Sequence, residues 1–178
     1  MARVLWHVTS SLDGFIAGPG DDMDWMLGFG EENTEVNELI QRVGAVLSGR
    51  RTYDVGARQE HPELQKPYGG AWSGPVYVLT HHPPEDPSVT FLSGDIGAAI
   101  ETAARAAGDK YVVLFGADVA RQALEAGLVD DVVIHMVPVL LGDGVRLFSR
   151  QGGDGFHLEL TRVTRAVQVL NLRFVPVG

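Results

Sequence analysis

VVLFGADVARQALEAGLVDDVVIHMVPVLLGDGVRLF, Val112 to Phe148, says most about this chain. An apolar run ends at Phe115-Gly116 and a helix-like stretch follows. An acidic turn at Asp130-Asp131 then leads into a second apolar run that reaches Pro138 and closes on the glycine-rich turn Leu141-Gly142-Asp143-Gly144. A strand that passes through glycine into a helix leaves the first N–H groups of the helix without intrahelical partners. Such groups favour an anion, for example a pyrophosphate. The segment therefore bears on function as well as on fold.

The same alternation extends outward. Val4 to Thr9 is short, apolar and partly β-branched, which predicts a buried strand. Ser10 to Gly30 holds six glycines or prolines and four aspartates and reads as a long loop. Loops longer than about 12–15 residues inside a compact domain tend to be functional. Thr34 is placed as an N-cap, with Val36, Leu39, Ile40 and Val43 as the apolar stripe of a helix. Val43 to Ser48 is a second strand, ended by Gly49-Arg50-Arg51-Thr52. Pro62 to Gly74 reads as a surface loop, Val76 to Thr80 as a third strand and Val89 to Leu92 as a fourth. A helix is expected over Asp95–Ala107 with Gly108 as its stop, a fifth strand over Tyr111–Phe115, and a helix over Ala117–Ala126 ended by Gly127. Val132 to Val139 is the sixth strand. Phe156–Val163 and Ala166–Val175 read as a terminal antiparallel pair. The expected fold is a three-layer α/β sandwich around a mixed, mostly parallel sheet with a C-terminal antiparallel strand pair.

Composition bounds the function. The 178 residues predict a single domain spanning 1–178, with no repeat or linker. A formal net charge of −9 argues against a nucleic-acid surface, which needs a basic stripe. It leaves room for a small anionic ligand, which needs only a few local donors. Cysteine is absent, so disulfides, thiolate zinc sites and a cysteine nucleophile are absent too. The N-terminus lacks a signal-type apolar core of about 7–15 residues. No apolar stretch nears the roughly 18 residues of a membrane span. The expectation is a cytoplasmic protein with no membrane partner.

Four places carry candidate chemistry. Gly49-Arg50-Arg51-Thr52 offers two guanidiniums and a hydroxyl at a strand end, suited to a phosphate or to a solvated basic turn. Thr80-His81-His82 ends another strand, on the side where open α/β sheets bind ligands. Two adjacent histidines without a third ligand make a poor zinc site, and no metal site is expected. Phe115-Gly116-Ala117-Asp118 opens a helix without the GxGxxG fingerprint, and Asp118 suits the helix dipole in any case. The early loop holds Asp13, Asp24 and Trp25. Its tryptophan is either a lid over a flat ring or a loop anchor. Asp24 or Glu31 is the expected proton source if burial raises its pKa. His7 and His135 lie in strands, where a satisfied core or pocket-lining role is the expectation.

Together these pieces resemble the dihydrofolate reductase superfamily, and within it the reductase domain of the bacterial riboflavin-biosynthesis deaminase–reductase. Four motifs in order carry the resemblance: Ser11-Leu12-Asp13-Gly14-Phe15-Ile16-Ala17, Leu47-Ser48-Gly49-Arg50-Arg51-Thr52-Tyr53, Ala126-Gly127-Leu128-Val129-Asp130-Asp131, and Pro138-Val139-Leu140-Leu141-Gly142-Asp143-Gly144. The resemblance implies a dihydrofolate reductase-like fold and an NADPH-dependent reductase acting on a small heterocyclic or phosphoribosylamino-pyrimidine substrate. It implies that Gly49, Arg50, Arg51 and Thr52 hold the adenosine end with its 2′-phosphate, with Thr80 and His81 beside it. Phe115 and Gly116 to Val119, including Ala117 and Asp118, face the pyrophosphate, and Ala17 lies near the nicotinamide. Asp13, Trp25 and Tyr53 border the substrate. It also implies a homodimer. Phe115 stands where folate enzymes have the first glycine of a Gly-Gly pair, often joined by a cis bond. Reduction of a pteridine, or nucleotide binding without turnover, are the alternatives.

Overall fold

A computed structural model describes residues 1–29 and 33–178. In chain order it contains β1 (Arg3–Ser11), β2 (Phe15–Ala17), α1 (Thr34–Ile40), β3 (Val43–Gly49), α2 (Arg50–Arg58), α3 (Pro62–Gln65), β4 (Val76–Leu79), β5 (Thr90–Leu92), α4 (Ile96–Ala107), β6 (Tyr111–Phe115), α5 (Ala117–Glu125), β7 (Asp131–Val137), β8 (Val145–Arg146), β9 (His157–Ala166) and β10 (Val169–Val177). Short 3₁₀ turns occupy Pro19–Asp21, Asp24–Met26 and Pro67–Gly70.

The main sheet has the strand order β5-β4-β3-β6-β1-β7-β10-β9. The strands from β5 to β7 run parallel, and β10 and β9 add the antiparallel pair. This is the expected mixed sheet. Side chains alternate across it with period two. Val4, Trp6, Ala45, Leu47, Val112 and Leu114 face α4 and α5 on one side. Leu5, Val46, Val113 and Val133 face Leu39 of α1 on the other, where Tyr68 and Trp72 also pack. Both faces are covered, as near-continuous apolar parallel strands require.

Three local expectations are corrected. The helix cap at Thr34 is Asn33 instead, and the Asn33 side chain makes no capping bond because a partner on β10 takes it. Val43 opens β3 and is not the last residue of the α1 stripe. The basic turn after Gly49 is the first turn of α2. The early loop is also not wholly irregular. Phe15–Ala17 pairs antiparallel with Val145–Arg146, so the glycine-rich turn 141–144 lies against the start of that loop. Gly144 sits there at φ +133, and a Cβ would strike the Ala17 carbonyl oxygen.

Candidate active site

β3 and β6 are neighbours, with Ser48 opposite Phe115 in the register. Each leads through a glycine straight into a helix of nine residues: Gly49 into α2 and Gly116 into α5. The two helix starts therefore stand side by side at the carboxyl edge of the sheet. Neither cap residue supplies a side-chain bond, so the first N–H groups of both helices lack side-chain caps. Gly116 adopts φ 101 and ψ 144, a region essentially reserved for glycine. A Cβ there would collide with Thr52 Oγ1. The absence of that Cβ lets the Thr52 hydroxyl reach the α5 start and makes a cradle of backbone donors with one hydroxyl beside it. Such a cradle fits the pyrophosphate of a dinucleotide. The Phe115–Gly116 bond is trans; no cis peptide occurs among the described residues.

The remaining candidates border this edge. Thr80 is buried at the end of β4 and its hydroxyl accepts from His82 N at 3.1 Å, while His81 is exposed. Arg50 donates to Asp54 at 2.8 Å and to the His82 carbonyl. Arg51 is paired with Asp21 at 2.6 Å, which ties the early loop to α2. Asp118 on the first turn of α5 bonds Arg121 and Gln122, both at 2.7 Å. Val119 is buried beneath Gly49. Ala17 is buried in β2.

The early-loop residues separate in the structure. The Trp25 indole N–H donates to the Asp22 carbonyl at 3.1 Å. Asp24 is exposed, 3.9 Å from His61 Nε2. Glu31 lies outside the described residues. Asp13 serves the glycine-rich turn: it accepts from Ser11 Oγ at 2.7 Å, from Gly142 N at 2.7 Å and from Leu141 N at 3.1 Å. These bonds, that from Ser11 foremost, favour the carboxylate and lower its pKa to about 2. The Tyr53 hydroxyl donates to Asp86 at 2.7 Å and its ring meets Phe91 edge-on.

The structure also assembles a buried polar line that no motif joins. His7 Nε2 lies 2.6 Å from His135 Nε2. His7 Nδ1 lies 3.0 Å from the Tyr68 hydroxyl, and His135 Nδ1 lies 2.6 Å from Asn171 Oδ1. Asn171 and Asn33 exchange amide bonds at 2.9 and 3.1 Å. Asn171 Nδ2 also reaches Thr164 Oγ1 at 3.1 Å, and Thr164 in turn bonds Glu35. Burial pushes both imidazole pKa values down and holds the rings neutral; His135 opposes protonation of His7 as well. Burial likewise raises the Tyr68 phenol. Read from the sequence, both histidines have a satisfied core or pocket-lining role in strands, and nothing there marks Tyr68, Asn171, Asn33 or Glu35. Alternation along β1 and β7 was the only available signal.

This sheet with its C-terminal hairpin, two glycine-led helix starts and a long loop beside them defines the dihydrofolate reductase-like fold. Residues 2–171 match the RibD C-terminal domain, and the chain belongs to that family of riboflavin-type reductase domains. The Bacillus subtilis protein YwjB is 28% identical over 176 residues, 97% of each chain. Among solved structures, a protein assigned to riboflavin biosynthesis from Shewanella sp. PV-4 superposes with TM-score 0.78 at 24% identity over 100% of both chains. The Saccharomyces riboflavin biosynthesis reductase Rib7 gives 0.64 at 15% identity, over 99% of this chain and 89% of that one. The Enterococcus faecalis dihydrofolate reductase complexed with NADP(H) gives 0.64 at 12%, over 99% and 97%.

Proposed function

We propose that this chain is an NADPH-dependent reductase that reduces the ribose C1′ of a phosphoribosylamino-pyrimidine, acting in the cytoplasm as a homodimer. The observation that carries it is the pair of helix starts without side-chain caps at Gly49 and Gly116, with the Thr52 hydroxyl between them. When bound, the reduced nicotinamide supplies a hydride to C1′; the C1′–O4′ bond opens, and O4′ takes a proton to give the ribityl chain.

The chain's own work is binding, orientation and exclusion of water. The N–H groups of Ala117, Asp118 and Val119, with Gly116 and Phe115 leading into them, hold the pyrophosphate. Arg50 and Arg51 hold the 2′-phosphate, with Gly49, Thr80 and His81 lining the adenosine end. Arg51 must exchange Asp21 for the phosphate, which couples cofactor binding to the early loop. Ala17 borders the nicotinamide and Trp25 the substrate, and Asp13 holds the turn behind them; Tyr53, turned onto Phe91 of β5, lies on the adenosine side of the sheet. Asp24 is exposed beside His61, so the proton is assigned to Glu31.

Titration with NADPH and NADH, read by fluorescence or calorimetry, tests the reading. Micromolar NADPH with weaker NADH is expected. The Arg50→Ala/Arg51→Ala double variant is expected to shrink that preference about tenfold or more, roughly 1.4 kcal/mol. Binding of neither dinucleotide would defeat the proposal. Turnover of dihydrofolate at matching rates would move the substrate to a pteridine.

A further inference from the structure

The buried polar line has a direction, and its far end fixes it. The Glu35 carboxylate only accepts, so the Thr164 hydroxyl spends its proton there. Thr164 Oγ1 must then accept from Asn171, which turns the Asn171 nitrogen toward Thr164 and Asn33. Asn171 Oδ1 is left facing His135 Nδ1, which must carry a hydrogen. A neutral His135 then has a bare Nε2. His7 can meet it at 2.6 Å only by donating from its own Nε2. His7 Nδ1 is therefore a bare acceptor, and the Tyr68 hydroxyl donates to it. Each step leaves one choice, because an imidazole that donates at one nitrogen accepts at the other.

The occupant of that acceptor is unusual. Tyr68 sits at φ 55 and ψ 33, a left-handed conformation that side chains other than glycine, Asn and Asp seldom adopt, and Gly69 follows at φ 63. Its ring stacks on His7 at 5.5 Å and 22°, and tilts on Phe115 at 5.5 Å. Phe115 leads directly into the Gly116 cradle. A flat ring with one donor group thus already rests beside the cofactor site, on a short turn between α3 and β4.

We propose that Tyr68 holds the seat of the substrate's flat ring, and that His7 Nδ1, freed when Tyr68 swings out, is a fixed acceptor that selects a heterocycle presenting an N–H donor. The reductase reading supplies the need for a flat ring at this place, and the inference rests on it. His135, Asn171, Thr164 and Glu35 are positioning residues that keep the acceptor from turning into a donor. A heterocycle offering only lone pairs meets a lone pair there and is rejected, because a buried unpaired acceptor is costly.

Two measurements test this. The first is nitrogen NMR of the wild-type protein carrying ¹⁵N-histidine. Hydrogen is expected on His7 Nε2 and His135 Nδ1, with His7 Nδ1 and His135 Nε2 bare, unchanged between pH 7.5 and 5.5. Hydrogen on His7 Nδ1 overturns the proposal. The second is binding of 5,6-diaminouracil, which carries N–H donors, against 1,3-dimethyluracil, which has none. Tyr68→Ala should bind the diamino compound at least tenfold more tightly than wild type, with a shift at His7 Nδ1, and gain nothing for the dimethyl compound. Equal gains for both, or no shift at His7, overturn it. If NADPH binds and His7 stays silent, this inference falls alone. If NADPH fails to bind while His7 shifts, the seat stands and the reductase reading falls.

Discussion

Gly116 carries two constraints at once, a backbone angle and a close contact, and Gly116→Ala tests both. At φ 101 an added Cβ is strained, and the Cβ also meets the Thr52 hydroxyl. Strain of this kind costs on the order of 1–3 kcal/mol. The variant is expected to melt several degrees lower and to bind NADPH at least tenfold more weakly, both read from one titration and one thermal scan. Preserved affinity in a folded variant would remove the cradle from the binding site. His7 and His135 make a second prediction at this scale. Both pKa values are lowered in the folded chain, so between the folded values and the ordinary value near 6.5 the unfolded chain binds more protons. Stability therefore rises with pH through that window and falls as pH drops below about 6.5. The slope approaches about 1.4 kcal/mol per pH unit for each histidine. Urea unfolding at pH 7.5 and 5.5 measures it, and substitution of His135 by Phe should flatten the difference.

The glycine-rich turn after β7 is held as an element by one carboxylate. Asp13 bonds Leu141 and Gly142 through their backbone N–H groups, and Ser11 orients it. Its lowered pKa means that the contribution is present above the ordinary carboxylate range and lost only as pH falls toward about 2. Asp13→Asn should therefore loosen the turn at pH 7, exposing the Leu141 and Gly142 amides to hydrogen exchange, while wild type keeps them protected down to about pH 4. Protected amides in the variant would mean that the β2–β8 pairing alone holds the turn. The legibility of this region differed by element. The run Val112–Phe148 was readable because apolar strands bounded by glycine and acidic residues leave few other structures open. α2 was not, because RRTYDVGAR buries only Val55 and begins at the residue after a strand, so it shows no apolar stripe. β2 and β8 are three and two residues long and depend on a partner some 130 positions away. The candidate site divided similarly. The helix start at Gly116 follows from strand–glycine–helix order, whereas Gly49-Arg50-Arg51-Thr52 reads in the sequence only as a basic turn. The line from Tyr68 to Glu35 joins residues of six separate segments, and no spacing in the chain encodes it.

Across the molecule, the outer strand pair carries a stripe of exposed apolar side chains. Leu158, Leu160 and Val163 of β9 are 36, 51 and 52% exposed. The register pairs them with Pro176, Phe174 and Leu172, which alternate along one face of β10, and an irregularity at Arg173/Phe174 restores Val163 to that face. Three apolar residues in a row on an edge strand invite a partner, because an uncovered edge of this kind is an aggregation hazard that proteins otherwise blunt with charge. In the homodimer proposed above, a second copy of the chain would supply a matching face by two-fold symmetry. Light scattering of the purified protein should give about twice the 19.2 kDa chain mass. Replacing Leu160 by Lys together with Val163 by Glu should give the single-chain mass while leaving the circular dichroism spectrum unchanged, since both side chains lie away from the central core. If the wild-type protein scatters as one chain at tens of micromolar, the β9–β10 face does not pair copies of this chain. If the variant stays dimeric, the contact lies elsewhere on the molecule.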